Sequence, residues 1–339
     1  MIPSVLQLAL IAAFWVLPAL AQPVHLIFDT DMGNDIDDAL ALAEIHGLES
    51  RGEVKLLAVT VTKDNPWAAV YVDIVNTFYG RPGIPIGVVR NGKTNDDGKY
   101  NRVVAERRDE HGVLVYPRRL HSGADAPEAV HLLRQVLVAE ADGAVTIVQV
   151  GFFTNLARLL DSQPDAASPL NGRALVAKKV RLLSVMAGWF PTGEPEYNVK
   201  IDLPATRKLF AEWPTPIVAS GFEIGEAIRY PAASIERDFK WAPNHPVAEA
   251  YRAYDKMPYD RQTWDLTAVL YAARPDRGYF SLSPAGTISA DAAGRTTLAP
   301  DPNGRHRYLI ASPEQARRVR EAFTWICPQP NQARMIKSE

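Results

Sequence analysis

Five aspartates, Asp29, Asp31, Asp35, Asp37 and Asp38, fall within the ten residues 29–38 of the stretch Phe28-Asp-Thr-Asp-Met-Gly-Asn-Asp-Ile-Asp-Asp-Ala39. Carboxylates this close repel one another, and away from water they hold protons or splay apart. A hard divalent cation reverses that argument. Calcium takes roughly six to eight oxygen ligands at about 2.3–2.6 Å and gathers carboxylates readily. Helix capping accounts for one or two of the five, Asp37 or Asp38, at the free N–H groups of a helix start. An EF-hand loop needs Gly at its sixth position and Glu at its twelfth; counted from Asp29, those positions are Asn34 and Leu40. A metal site, with Ca2+ as the expected ion, is the reading these residues favour.

The order of residues in this stretch resembles the signature DxDPGxDDA of the inosine-uridine-preferring nucleoside hydrolases. Two departures stand out: Met32 replaces Pro, and the segment between Gly33 and Asp37-Asp38 is two residues longer. The second departure leaves both Asp35 and Asp37 as candidates for the first paired aspartate, which in the family contacts the sugar. Further along, Val59-Thr-Val-Thr-Lys-Asp-Asn65 places Asn65 where the family has an Asn that reaches the sugar; read locally, Asn65 caps the next helix. The run Val148-Gln-Val-Gly-Phe-Phe-Thr-Asn-Leu-Ala157 is similar to the family's Gly-x-Leu-Thr-Asn-x-Ala. The resemblance makes the Val150 carbonyl a metal ligand, and a carbonyl ligand sets no demand on the side chain. Locally, Thr154 reads as a helix N-cap.

Glu196-Tyr197-Asn198 resembles the family's Glu-Phe-Asn, which holds the ribose hydroxyls, and Asp202-Leu-Pro-Ala resembles its Asp-Pro-Glu-Ala. An acid and an amide two positions apart can bracket a vicinal diol, since the acid accepts and the amide both donates and accepts. Trp264-Asp-Leu-Thr-Ala-Val-Leu-Tyr271 resembles the late segment whose Asp closes the metal site. The resemblance therefore implies Asp31, Asp38, Asp265 and the Val150 carbonyl as the metal ligands. It implies Asp31 as the base, and Asp35 or Asp37, Asn65, Glu196 and Asn198 as the sugar contacts. Read locally, Asp265 is an N-cap for residues 267–272. Family members often carry a leaving-group His just before this Asp, where this chain has Trp264. His111 is the substitute the sequence offers.

These residues need elements to position them. The apolar run Val24 to Phe28 reads as a strand and Ala39 to Leu48 as a helix. Strand signals follow at 55–61, 84–89, 145–150, 180–186 and 216–220, and helix signals at 67–79, 126–140, 154–160, 204–212 and 246–256. Asn91-Gly92, Asp97-Gly98 and Pro117 mark residues 90–124 as a long irregular excursion. Short strands and turns are expected over 278–310, and a closing helix over 312–326. Strands alternating with helices predict an α/β fold, a mainly parallel central sheet with helices on both faces, like that of the nucleoside hydrolases. Ligands bind such sheets beyond the carboxyl ends of the strands, where residues 90–124 and 222–263 are expected to line the site.

Residues 1–21 form an apolar block ending Ala19-Leu20-Ala21, an A-x-A pattern before Gln22. This reads as a signal peptide cleaved after Ala21, which predicts a secreted or periplasmic protein. Residues 22–339 then form a single catalytic domain. Cys327 is the only cysteine, so no internal disulfide forms. The formal net charge of −2 comes without a basic stripe, which argues against nucleic acid as a partner, and no later apolar run is long enough to span a membrane. The partner expected is a small-molecule riboside, and the resemblance is compatible with a homo-oligomer. The expected function is calcium-dependent hydrolysis of the N-glycosidic bond of ribonucleosides or related ribosides. The competing expectation, raised by the missing His and the altered loop, is a catalytically impaired calcium-containing protein that binds sugars or nucleosides.

Overall fold

The computed structural model describes residues 22–191 and 193–330, so the expected signal peptide, residues 1–21, lies outside the described residues. Six strands form the parallel heart of the sheet: β1 (Val24–Thr30), β2 (Val54–Lys63), β3 (Ile86–Lys93), β4 (Val145–Gln149), β5 (Val180–Met186) and β6 (Ile217–Ser220). Their spatial order is β3-β2-β1-β4-β5-β6. Strand His306–Ile310 continues the sheet parallel to β6, and Gly286–Ala290 and Thr296–Pro300 extend it antiparallel.

Alternation along each strand explains the layers. On β1, Leu26 and Phe28 pack into one apolar cluster while Ile27 packs into the other. On β4, Val148 faces the first cluster, and Val145 and Ile147 face the second. Helices Asp37–Ser50, Ala68–Phe78, Trp264–Ala273 and Pro313–Ile326 supply the first cluster; Ala129–Ala139, Thr154–Asp161, Gly172–Lys179 and Leu203–Glu212 supply the second. All five residues of β4 are buried: its three apolar residues feed both clusters, while Thr146 accepts from Arg181 Nε and Gln149 Nε2 donates to the Gly151 carbonyl.

The strand order reverses between β1 and β4. From β1 the chain winds outward to β2 and β3, then returns to β4 and winds the other way. At such a switch point the two following loops diverge and leave a crevice. The acidic loop follows β1, and Val150 follows β4.

Several local readings change. The helix carrying Asp265 begins at Trp264, with Thr263 at its N-cap position. Asp265 therefore lies inside the first turn and is not the cap. Phe153, not Thr154, is the N-cap residue of the helix after β4; the Thr154 hydroxyl donates to Asp202 instead. The excursion over 90–124 contains a short helix, Asn101–Ala105, and helix Gly172–Lys179 precedes β5.

Candidate active site

The acidic loop is built by a tight turn braced from behind. Asn34 N–H donates to the Asp31 carbonyl (3.2 Å), and Met32 N–H donates to Thr30 Oγ1 (3.1 Å). The excursion holds the turn: Asn101 Nδ2 donates to the Met32 carbonyl (2.8 Å), and Tyr100 hydroxyl donates to the Asp35 carbonyl (2.8 Å). Gly33 has φ +113°, and a Cβ there would lie 2.1 Å from Asn101 Nδ2, so glycine meets both the backbone and the packing demand. Gly151 has a similar reason. Its Cβ would stand 2.4 Å from the Asp31 nitrogen and from Thr62 Oγ1, so the loops after β1 and β4 can approach only without a side chain.

A cavity of about 380 Å³ opens at this crevice. Asp31 and Asp35 from the acidic loop, Val150 after β4, Glu196 and Asn198 after β5, and Asp265 all line it. Trp189, Tyr197, Phe222 and Trp264 give it aromatic walls, and Lys200 and Arg261 add two cations. Trp189 and Phe222 lie 4.3 Å apart between ring centroids, and Phe222 and Trp264 5.2 Å.

Beneath the cavity the aspartates are buried. Asp29 accepts from Thr60 Oγ1 (2.5 Å) and Asn155 Nδ2 (2.9 Å) and has no place in the lining. Asp38 accepts from the Thr30 hydroxyl with one oxygen, and its Oδ2 is buried without a hydrogen-bond partner. Asp265 Oδ2 is buried and unpartnered as well. Burial, with repulsion among neighbouring carboxylates, pushes Asp31 up to about 6 and Asp37 to about 8, and holds Asp38 and Asp265 well above the usual carboxylate range. Such a cluster cannot be fully ionised without a counter-charge.

Two arrangements for a cation compete. Asp35, Asp37 and Asp265 can each bring an oxygen to within 4.8 Å of the others. Arg261 already compensates two of these, pairing with Asp35 (2.8 Å) and Asp37 (3.0 Å) while its guanidinium stacks over Tyr254 and Trp264. The oxygens without partners belong to Asp38 and Asp265. An unpaired buried carboxylate oxygen is costly, so Asp38 and Asp265 call for a counter-charge that Arg261 does not supply to them.

The sequence left Asp35 and Asp37 open. Asp35 lines the cavity; Asp37 lies below it with its oxygens engaged by Arg261 and the Asp265 N–H (3.3 Å). Asn65 needs correction. Its Oδ1 accepts from Trp67 N–H (2.8 Å) and its Nδ2 donates to the Asp96 carbonyl (2.9 Å) and its neighbours, so the side chain holds loop 95–97 and lies outside the lining. Glu196 and Asn198 do line the cavity, but each is partly committed. Glu196 caps helix Tyr197–Ile201, accepting from the N–H groups of Asn198 (2.8 Å), Val199 (3.1 Å) and Gly188 (3.3 Å). Asn198 Nδ2 donates to the Val150 carbonyl (2.8 Å). Burial raises Glu196 to about 7.

His111 sits on an exposed turn beside Glu110, its side chain 77 % accessible, outside the lining. Among the described residues no His or Cys lines the cavity. Trp264 Nε1 is committed to the Phe222 carbonyl (2.9 Å). Residues 222–263 contribute Phe222 and Arg261 to the wall, as expected, whereas residues 90–124 brace the acidic loop from outside the lining. Sequence reasoning missed Arg261 as a site residue. It is a lone basic residue whose acidic partners lie far along the chain, and only the crowding of acids nearby hinted that a cation would be needed.

A family model described as inosine-uridine preferring nucleoside hydrolase matches residues 26–320. No curated protein sequence matches the chain. Among solved structures, an inosine-uridine preferring nucleoside hydrolase from Bacillus anthracis superposes with a TM-score of 0.65 at 18 % identity, covering 90 % of this chain and 99 % of that one. A purine-preferring ribonucleoside hydrolase from Gardnerella vaginalis gives 0.64 at 16 %, covering 90 % and 99 %. The type III effector protein XopQ, complexed with adenosine diphosphate ribose, gives 0.63 at 15 %, covering 91 % and 94 %. At these identities the structures share a fold.

Proposed function

The chain belongs to the inosine-uridine preferring nucleoside hydrolase family, and on that premise we propose that it hydrolyses the N-glycosidic bond of ribonucleosides or related ribosides with a bound calcium ion. One observation carries the reading. Asp31 and Asp35, Val150, Glu196 and Asn198, and Asp265 come from four separate segments and line one cavity at the switch point of the sheet. The unpartnered oxygens of Asp38 and Asp265 support a hard cation held by Asp31, Asp38, Asp265 and the Val150 carbonyl. A calcium ion there supplies positive charge that neutralises the carboxylates and acidifies nearby water.

The protein's own residues do the rest. Asp31 takes the proton of the attacking water as its oxygen bonds to C1′. The C1′–N bond breaks with its electron pair on the aglycone, and the ribosyl ring passes through an oxocarbenium-like state. Asp35, in the lining, places negative charge beside that developing cation. Asn198 faces the sugar hydroxyls, and Glu196, whose oxygens accept from backbone N–H groups, holds the turn that presents it. The aromatic wall receives a flat aglycone. With no His or Cys in the lining among the described residues, the aglycone departs without an imidazole acid. Arg261 can hydrogen-bond it but cannot give up a proton. Leaving groups that tolerate an anionic form are therefore favoured. Export, secreted or periplasmic, remains part of the proposal through residues 1–21.

The test is a panel of ribosides assayed for free ribose, with and without chelator. Ribose release that disappears on chelation and returns with calcium supports the reading. Binding of nucleosides without any release of ribose overturns it in favour of a binding protein.

A further inference from the structure

Lys63 closes β2, and its side chain is 0 % exposed. Lysine is almost never fully buried unless paired, and a buried ammonium is costly without partners. Here Nζ donates to Asn34 Oδ1 (2.7 Å) and Asp96 Oδ1 (3.0 Å). Asn34 Nδ2 in turn donates to Asp31 Oδ2 (2.6 Å). An amide has one accepting and one donating end. With an ammonium on one side and a carboxylate on the other, only one orientation of Asn34 matches each end to its complement. The flipped amide would set NH2 against the ammonium and oxygen against the carboxylate, so the network itself assigns the amide.

We propose that Lys63 is a positioning residue for riboside hydrolysis, acting through Asn34 to fix the Asp31 carboxylate so that Oδ2 is held and Oδ1 takes the proton of water. The inference rests on the function proposed above and adds a residue to it. Asn34 belongs to the segment between Gly33 and Asp37 that is two residues longer than the family signature, so the relay is a property of this chain's own loop. Asp96 anchors the ammonium from the other side and carries loop 95–97 with it, and Asn65 binds the same loop. Neither Lys63 nor Asn34 lines the cavity. Lys63 therefore acts only through the side chains between it and the substrate.

The experiment compares Lys63→Met, Asn34→Ala and the double variant on a riboside that the wild type turns over, and adds a crystal structure of Lys63→Met. Loss of base orientation should lower kcat in each single variant by about tenfold or more, with KM within about twofold. Because one residue acts through the other, the double variant should be no slower than the slower single variant. In crystals of Lys63→Met the 2.6 Å bond from Asn34 to Asp31 should be lost. Wild-type kcat in Asn34→Ala, multiplicative losses in the double variant, or an unchanged Asn34–Asp31 bond in Lys63→Met would each overturn the inference. If Lys63→Met does not fold, Asn34→Ala decides alone. Absence of turnover in the wild type refutes the proposed function instead, and the crystal structure still decides the relay.

Discussion

Glu44 gives a prediction that can be worked through in numbers. It lies near the middle of helix Asp37–Ser50, fully buried, and neither carboxylate oxygen has a hydrogen-bond partner. Burial holds its carboxyl well above the ordinary range, against a weaker opposing pull from Arg274. The sign follows from linkage. In the unfolded chain Glu44 ionises near the ordinary pKa of about 4.3, while in the fold it keeps its proton. The native state then binds more protons, and stability falls as pH rises. Each pH unit in this window costs about 1.4 kcal/mol until the folded side chain also ionises.

Glu44→Met keeps a similar length and a good helix former while removing the carboxyl. Near pH 5 it should gain about 1–3 kcal/mol by removing an unsatisfied buried group. The advantage should grow by about 1.4 kcal/mol per pH unit towards neutrality. At about 2–4 °C per kcal/mol for a chain of this size or somewhat smaller, the difference in melting temperature should widen by several degrees between pH 5 and 7. Differential scanning calorimetry of both proteins across that range is the assay. A difference that stays constant with pH, or a variant less stable than wild type at pH 7, would show that Glu44 finds a partner in solution.

Other predictions concern the cavity. Calcium should raise the melting temperature of the wild type by several degrees, and Asp38→Ala should abolish that rise, checked by thermal shift with and without chelator. p-Nitrophenyl riboside should be turned over at least about tenfold faster than inosine, since its phenolate departs without an acid, and His111→Ala should leave both rates unchanged. Glu196→Ala should lose about 1–2 kcal/mol as a helix cap and slow ribosides and 2′-deoxyribosides alike, because its oxygens hold backbone N–H groups. A loss confined to ribosides would instead mean that Glu196 reads the 2′-hydroxyl.

The readable parts of the chain are those encoded locally. The apolar run before Asp29 and the periodic helix after Asp38 announced strand, loop and helix, and the same alternation predicted the parallel sheet with helices on both faces. Asp31 and Asp35 were found because crowded carboxylates demand an explanation wherever they occur, whereas Glu196 and Asp265 were reached only through the family resemblance. The less readable features depend on contacts between distant segments. Arg261 pairs with Asp37 across 224 positions, and nothing in its own neighbourhood signals that partner. Tyr100 and Asn101 hold the acidic loop through its carbonyls, a bond any loop could accept, so the excursion that carries them read only as irregular. Asp265 could be read locally as a cap, because an aspartate in a first helical turn looks the same whether it faces N–H groups or a cavity; only the family resemblance favoured the cavity. Asn65 runs the other way: its local reading, a turn that prepares the next helix, describes its contacts better than the sugar contact did.

The central claim is that the cavity after β1 and β4 is where a riboside is hydrolysed, with Asp31 as its base. The most direct measurement is ribose release from p-nitrophenyl riboside by wild type and by Asp31→Asn, in calcium, with both proteins shown to melt as folded chains. The account predicts steady release by the wild type and a loss of about a hundredfold or more in kcat for Asp31→Asn. Release by Asp31→Asn at the wild-type rate would place the chemistry elsewhere and contradict it.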